Sequence, residues 1–340
     1  MPESKYFAGL DIGGTTVKAV LVDQNDEPTS PPVEVRSLVK EGYRKTFTQL
    51  DEALDKLCAG HGIPRDAIAG VGLDVPAPSS NGVIWSRANL GDDWVGTDIR
   101  AGYSAHAGLP VFMTNDCNAA AVGEYALRKS CAGGLLLVAP GTGLGGGFVL
   151  PGGRCHEGAN GLALELGHVP VPVREDDGSL PACSCGLHGC LEAWVSLMAL
   201  RRRLGIELAK PEWADHPLNA DPAPVEEKAF KIRDLADEGD ALARRLFRQQ
   251  AEILGRGLAG IVFAFDPGLV VIGGGLAEAG FRDEFLTWVR EGFEAHTWPA
   301  YVHSPVEPGR ETTRFEWAVG GDAAAAIGMA CTARDLFGRI

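Results

Sequence analysis

The sequence lacks an excess of basic charge: 31 Lys and Arg stand against 45 Asp and Glu, for a net charge of −14. Gripping a phosphate backbone needs a basic face, so no nucleic-acid partner is expected. An anionic membrane surface is disfavoured on the same ground. A nucleotide remains compatible, because Mg²⁺ and backbone N–H groups supply positive potential locally. A long apolar run is also lacking. The most apolar stretch, GLLLVAPGTGLGGGFVL, is broken by Pro and Gly and does not read as a membrane span. The start, MPESKYFAGLDIGG, has no basic segment leading into an apolar one, so no signal peptide and a cytoplasmic location are expected. There the eight Cys are reduced thiols or metal ligands rather than disulfides.

A chain of 340 residues suits two domains of roughly 150 residues each. Its 45 Gly imply many tight turns or close backbone approaches. Tyr6–Leu10 and Val17–Val22 read as strands around a DIGGTT turn, with a third strand at Glu34–Ser37. Tyr43–Ala59 has helical spacing, with Phe47, Leu50, Leu54 and Leu57 on one face. Ala69–Leu73 and Val111–Thr114 read as buried strands, and Asn118–Leu127 as a helix. From Gly134 the order strand, glycine turn, strand begins again, which predicts a duplicated α/β architecture with a cleft between the halves. Helices are expected at Glu192–Leu204 and, as one or two, from Ile232 to about Phe265. Leu269–Ile272 is a strand running into a glycine cluster and another helix. A closing helix spans Asp322–Leu336, with Asp322 as its N-cap. The Pro-rich stretch 210–224 reads as an exposed loop or insertion.

Three glycine turns and two polar groups carry the chemistry. In Asp11-Ile12-Gly13-Gly14-Thr15-Thr16, glycines let a polyphosphate approach backbone N–H groups, and the threonines add hydroxyl donors. Asp11 can hold Mg²⁺ through water. The plainer alternative is a hairpin with an Asx turn. Gly141–Gly147 contains a G-x-G-x-x-G match, but a dinucleotide site must open a helix. FVLP follows instead and is strand-like, so a phosphate-holding hairpin is the better expectation. Gly273, Gly274 and Gly275 lie between a strand and a helix, where a base or ribose can rest, or where the chain simply turns. Asn115-Asp116 ends a strand, at the sheet edge where ligands bind in open α/β folds. Phosphoryl transfer needs a base there, although Asp116 can equally be a helix cap. Finally, Cys183, Cys185 and Cys190 fall within eight residues, with Gly186 and Gly189 between them. Zn²⁺ takes four N/S ligands in a tetrahedron, and a closed set is structural. The fourth ligand can be His168 or His188. The remaining Cys (58, 117, 131, 155 and 331) read as core or incidental.

Together these segments resemble the ROK family of sugar kinases and sugar-responsive repressors. The matching stretches include LDIGGTTVKAVLVD, GVGLDVPAP, ANLGDDW, VFMTNDCNAAAVGEY, GANGLALELGHVPV, CSCGLHGCLEAW, FDPGLVVIGGGLAEAG and GDAAAAIGMA. They cover nearly the whole chain in the family's order. The resemblance implies an actin-like (ribonuclease H-like) ATPase fold of two α/β domains. These are placed at 1–127 plus the C-terminal helix 322–340, and at 128–321 with the zinc loop 183–190. It implies ATP with Mg²⁺ at Asp11, Gly13, Gly14, Thr15, Thr16, Lys18, Gly141, Thr142 and Gly143, with adenosine near Gly273–Gly275. It implies Asp116 as the base, and sugar contacts from Asn89, Asn115, Asp116, Glu165, His168 and Glu192. For the zinc it implies His168, Cys183, Cys185 and Cys190. It further suggests a homodimer. The expected activity is transfer of the γ-phosphoryl group of ATP to a hexose, glucose before an N-acetylhexosamine (N-acetylmannosamine or N-acetylglucosamine) or fructose. A repressor is disfavoured, since only ten residues precede Asp11. A non-catalytic sugar sensor or actin-like scaffold leaves the acidic sugar positions unexplained. Ala77 stands between Pro76 and Pro78 where the family usually has Gly, which removes the positive-φ option there.

Overall fold

The computed structural model describes residues 5–25, 32–87, 90–128, 131 and 133–338. β1 (Tyr6–Ile12) and β2 (Thr16–Val22) form the first hairpin, followed by β3 (Val33–Arg36), α1 (Tyr43–His61) and β4 (Ile68–Val75). A two-residue pair, β5 (Ser79–Ser80) and β6 (Val83–Ile84), precedes α2 (Ile99–Ala107), β7 (Val111–Asn115) and α3 (Asp116–Leu127). The second hairpin is β8 (Leu135–Pro140) and β9 (Leu144–Val149). Then come α4 (Glu192–Val195), α5 (Leu197–Leu208), α6 (Pro217–Ala220), α7 (Val225–Asp237) and α8 (Ala241–Phe265). The chain closes with β10 (Leu269–Ile272), α9 (Arg282–Glu294), α10 (Pro299–Val302), β11 (Arg314–Trp317) and α11 (Ala324–Phe337). None of the described helices is long and apolar enough to cross a membrane.

By internal contacts the chain divides into two units: Met1–Leu137, Gly147–Leu164 and Val319–Ile340 form one, Val138–Gly146 and Glu165–Ala318 the other. Residues 147–164 therefore group with the first unit, beyond the boundary expected near residue 127.

In the first unit the sheet order is β3-β2-β1-β4-β7. β1 runs antiparallel to β2 and parallel to β4, which is parallel to β7. The central strand β1 is apolar on both faces, as a strand covered on two sides must be. Ala8, Leu10 and Ile12 join Leu50, Leu54, Ile99 and Tyr103 of α1 and α2 in one core. Phe7, with Val20 and Val22 of β2, packs on Ala326 and Ala330 of α11. The second layer is held at unusually short range. A Cβ on Gly123 of α3 would lie 1.8 Å from the Ala324 carbonyl, and one on Gly328 of α11 would lie 2.0 Å from the Ala119 carbonyl. Only glycine permits that approach.

A second sheet has the order β11-β10-β8-β9, with β10 parallel to β11. The long helix α8 buries one face, including Leu246, Leu254, Leu258 and Val262, and packs on α9.

Local differences from the sequence expectations have physical causes. The helix expected over Glu192–Leu204 is two helices, because Ser196 is extended (φ −82, ψ 167) and its side chain caps α5 by accepting from the Ala199 N–H. The 232–265 region, expected as one or two helices, is two, with Asp240 capping α8 after Gly239 in the left-handed region (φ 90), and the first of them starts earlier, at Val225. Asp322 does not cap α11. That helix enters from a 3₁₀ turn at Gly321–Ala323 without a side-chain cap, and Asp322 instead pairs with Lys18 at 3.0 Å. The 210–224 stretch contains a 3₁₀ turn at Pro211–Trp213 and α6, each starting with Pro in the first helical position.

Candidate active site

β7 delivers Asn115 and Asp116 to the end of the first unit's sheet. Asn115 caps α3: its side chain accepts from the Asn118 N–H at 2.7 Å. Asp116 is therefore not the cap. Its Oδ1 accepts from the Cys117 N–H at 2.8 Å. Burial pushes its carboxyl above the ordinary Asp range. The strand end is braced from behind, where Thr114 donates to Glu157 at 2.6 Å and accepts from the Asn118 side chain at 3.3 Å.

The first glycine turn lies on the same sheet. Gly13 N–H donates to the Thr16 carbonyl at 2.8 Å, and Gly14 and Thr15 form the exposed tip. Asp11 sits opposite Lys18 on β2 and opposite Asp74 on β4. Sequence reasoning passed over Asp74. It is fully buried, and neither of its oxygens has a hydrogen-bond partner among the described residues. Burial pushes it well upward, with the Asp11 and Asp116 charges adding to the effect. Asp11 is also raised by burial, against lowering contributions from Asp74 and Lys18. The two carboxyls stand side by side in the β1–β4 register, and burial favours the protonated form of Asp74, the more buried of the two. The signal available in the sequence was an acid inside an otherwise apolar run, Val71–Val75.

In the second unit, Gly141 and Thr142 are exposed at the tip of the β8–β9 hairpin. β9 is a strand, so the glycine run opens no helix, as a dinucleotide site would require. Gly273 N–H donates to the Val138 carbonyl at 2.8 Å. Gly274 lies at φ 79, and a Cβ there would come 2.2 Å from the Pro140 carbonyl, so the third glycine turn packs on the end of β8. Beside both turns is a cavity of about 360 Å³ lined by Gly141, Thr142, Ser196, Phe230, Arg233 and Gly275. Arg201 lies over the Phe230 ring at 5.0 Å, and Arg233 donates to the Gly275 carbonyl at 3.2 Å. Phe230 and Arg233 carried no signal in the sequence, because α7 meets the turns only through folding.

His168, Cys183, Cys185 and Cys190 place one ligand atom each within 4.8 Å of one another. Cys183 Sγ is 3.7 Å from His168 Nδ1, and Cys185 Sγ is 3.7 Å from Cys190 Sγ. The edge of a tetrahedron about a metal with sulfur ligands at ~2.3 Å is roughly 3.7 Å, so the donor set fits a four-coordinate ion. Local backbone pairing explains the convergence. Val171 N–H donates to the Gly189 carbonyl and Leu191 N–H to the Val169 carbonyl, while Cys183 N–H donates to the Leu187 carbonyl. The segment after His168 is thus laddered to the segment holding Cys190. His188 is exposed and pairs across the loop with Ala182 through the backbone, outside the cluster. The short Cys183–Leu187 turn brings in the other two thiols.

Glu165 is exposed, just after Leu164, which holds a left-handed φ of 64. Its carbonyl accepts from the His168 N–H at 3.0 Å. Glu192 begins α4. Its Oε2 accepts from the Leu144 N–H at 2.9 Å and its Oε1 from the Ser184 hydroxyl at 2.8 Å. Asn89 lies outside the described residues.

The family model of the ROK family matches residues 7–335. The glucokinase of Halalkalibacterium halodurans is 32% identical over 300 residues, 87% of each chain. The ROK hexokinase of Thermus thermophilus is similar in structure, with a TM-score of 0.77 and 33% identity over 97% of this chain and 99% of the other. A ROK family glucokinase from Streptomyces griseus, solved with glucose and AMPPNP, gives a TM-score of 0.68 and 28% identity over 97% and 99%. The actin-like ATPase fold implied by the resemblance holds, and this chain belongs to the ROK family.

Proposed function

We propose that this ROK-family sugar kinase transfers the γ-phosphoryl group of ATP to glucose, giving glucose 6-phosphate, with Asp116 as general base. The observation that carries this is the position of Asp116. It follows the end of a parallel strand, Asn115 does the capping, and burial raises its carboxyl above the ordinary Asp range. Such a carboxylate accepts the proton of a sugar hydroxyl as that oxygen attacks the γ-phosphorus and the bond to the β-phosphate oxygen breaks. The exposed turns at Gly13–Thr16 and Gly141–Gly143, with Asp11 and Lys18, hold the phosphates and their Mg²⁺. Gly273–Gly275 and the adjoining cavity receive the adenosine. Asn89, Asn115, Glu165, His168 and Glu192 contact the sugar, whose hydroxyls suit charge-assisted bonds to carboxylates. His168, Cys183, Cys185 and Cys190 hold Zn²⁺. A closed four-ligand set leaves no open position, so the ion is structural. Reduced thiols of this kind belong in the cytoplasm, and the enzyme acts there as a homodimer.

The test is ADP release coupled to a spectrophotometric readout, run with glucose, mannose, fructose, N-acetylglucosamine and N-acetylmannosamine. Glucose is expected to give the highest kcat/KM. A clear preference for an N-acetylhexosamine would replace glucose as the substrate. Asp116→Asn should keep the fold and sugar binding while kcat drops by ~10²–10⁴. Near-normal turnover in that variant removes Asp116 from the mechanism.

A further inference from the structure

We infer that Glu192 is a positioning residue for the donor's phosphate turn, tying it to the metal loop, so that metal-loop order governs nucleotide binding. This rests on the reading of Gly141–Gly143 as a phosphate site. Both carboxylate oxygens of Glu192 are engaged by the protein. Oε2 accepts from the Leu144 N–H at 2.9 Å, where Leu144 ends the turn and opens β9. Oε1 accepts from the Ser184 hydroxyl at 2.8 Å, with Cys183 Sγ at 3.6 Å. Ser184 sits between Cys183 and Cys185, so the two flanking thiols fix its place.

The other end of the turn is held by the same segment. Leu197 N–H, at the start of α5, donates to the Gly141 carbonyl at 2.9 Å, and Gly141 N–H donates to the Gly143 carbonyl at 2.8 Å. Residues 192–197 thus clasp the turn at Gly141 and at Leu144. The fit is close: a Cβ on Gly143 would lie 2.6 Å from Glu192 Oε2. A carboxylate accepting from a backbone N–H makes a strong, directional bond. Leu144 is buried, so its N–H has no water to turn to if Glu192 swings away. When the Cys183–Cys190 loop loosens, Ser184 leaves Oε1, the carboxylate is free to rotate, and the turn loses its anchor. A carboxylate oxygen has two acceptor sites, so contact with a sugar hydroxyl remains compatible with this role.

The experiment measures two quantities on the full-length protein. The first is the Kd of AMPPNP with Mg²⁺, by calorimetry without sugar. The second is amide exchange at Leu144. Ser184→Ala should retain its metal by elemental analysis, weaken AMPPNP about 3–10-fold, as loss of one hydrogen bond of ordinary net strength implies, and speed Leu144 exchange. Chelated wild-type protein should show larger changes in the same direction. Glu192→Gln, which can still accept from Leu144 and bond to Ser184, should largely preserve both readouts, whereas Glu192→Ala loses both. Unchanged Leu144 exchange in metal-replete Ser184→Ala and in chelated protein would overturn the tie. So would faster Leu144 exchange with an unaltered AMPPNP Kd. If the wild type binds no AMPPNP, the donor reading falls, and with it the link to nucleotide binding, while Leu144 exchange still reports whether the tie exists.

Discussion

At the scale of single residues, the first unit gathers three carboxyl groups whose environments differ. Asp116 is a base candidate only while ionised, and burial raises its pKa. Activity is therefore lost as pH falls through that raised value. The acidic limb of kcat/KM should lie clearly above the ordinary Asp value of ~3.9, and a pH–rate profile with its limb at or below that value would deny Asp116 the role. Asp74 behaves differently. Its folded pKa is raised well above the unfolded one by burial and by Asp11 and Asp116. By linkage it favours the fold fully below the unfolded pKa, and that contribution is lost as pH rises through the folded value. Asp74→Asn removes this linkage while keeping a polar side chain of the same shape beside Asp11. It should raise stability by about 1–3 kcal/mol near pH 8 and by much less near pH 4, measured by denaturant unfolding at both pH values. Equal effects at the two pH values would show that Asp74 is not held protonated. Asp116 was legible in the sequence because a strand end and a helix start are local features. Asp74 was not, because its meeting with Asp11 depends on the register of two parallel strands separated by α1.

At the scale of elements, α3 and α11 form the support behind Asp116. Their backbones meet through Gly123 and Gly328, each of which has a facing carbonyl where a Cβ would go. Gly328→Ala cannot be absorbed by a side-chain rotation, since the obstacle is backbone at 2.0 Å. The helices must part, at about 3 kcal/mol. Because Asp116 is the first residue of α3, kcat should fall along with the melting temperature. Wild-type stability in Gly328→Ala would mean the two helices are not so close. Elements built from contiguous patterns were read nearly to the residue. Tyr43–Ala59 is α1, and the two glycine hairpins are strand-turn-strand. What periodicity cannot see is a break made by one polar side chain. Ser196 and Asp240 end one helix and begin another because each offers an oxygen to an N–H three residues on. Periodic apolar residues run straight across both sites.

At the scale of the whole molecule, the strands form two larger sheets and the chain divides into two units. The two glycine hairpins announced the duplication, but the division itself was not readable. Residues 147–164 belong with the first unit because Gly147 packs on α3, where a Cβ would lie 2.8 Å from the Cys117 carbonyl. That contact spans thirty residues of sequence with no local mark. The four proposed metal ligands, by contrast, all fall in the second unit. Removing the ion should therefore act unevenly. Chelation, or Cys185→Ser, is expected to lower the melting temperature by about 5–10 °C, the scale set by a ligand held at a hundred times its Kd. Sugar affinity should fall with it, since His168 and Glu192 both sit at this loop. Amide exchange should rise in Val169–Val171 and Cys183–Leu191, where the backbone ladder depends on the loop. The β1, β4 and β7 amides should keep their protection, because their hydrogen bonds and packing lie wholly within the first unit. Equal loss of protection in both sets would mean that the ion stabilises the entire chain, and undisturbed sugar affinity would separate the metal from the sugar site.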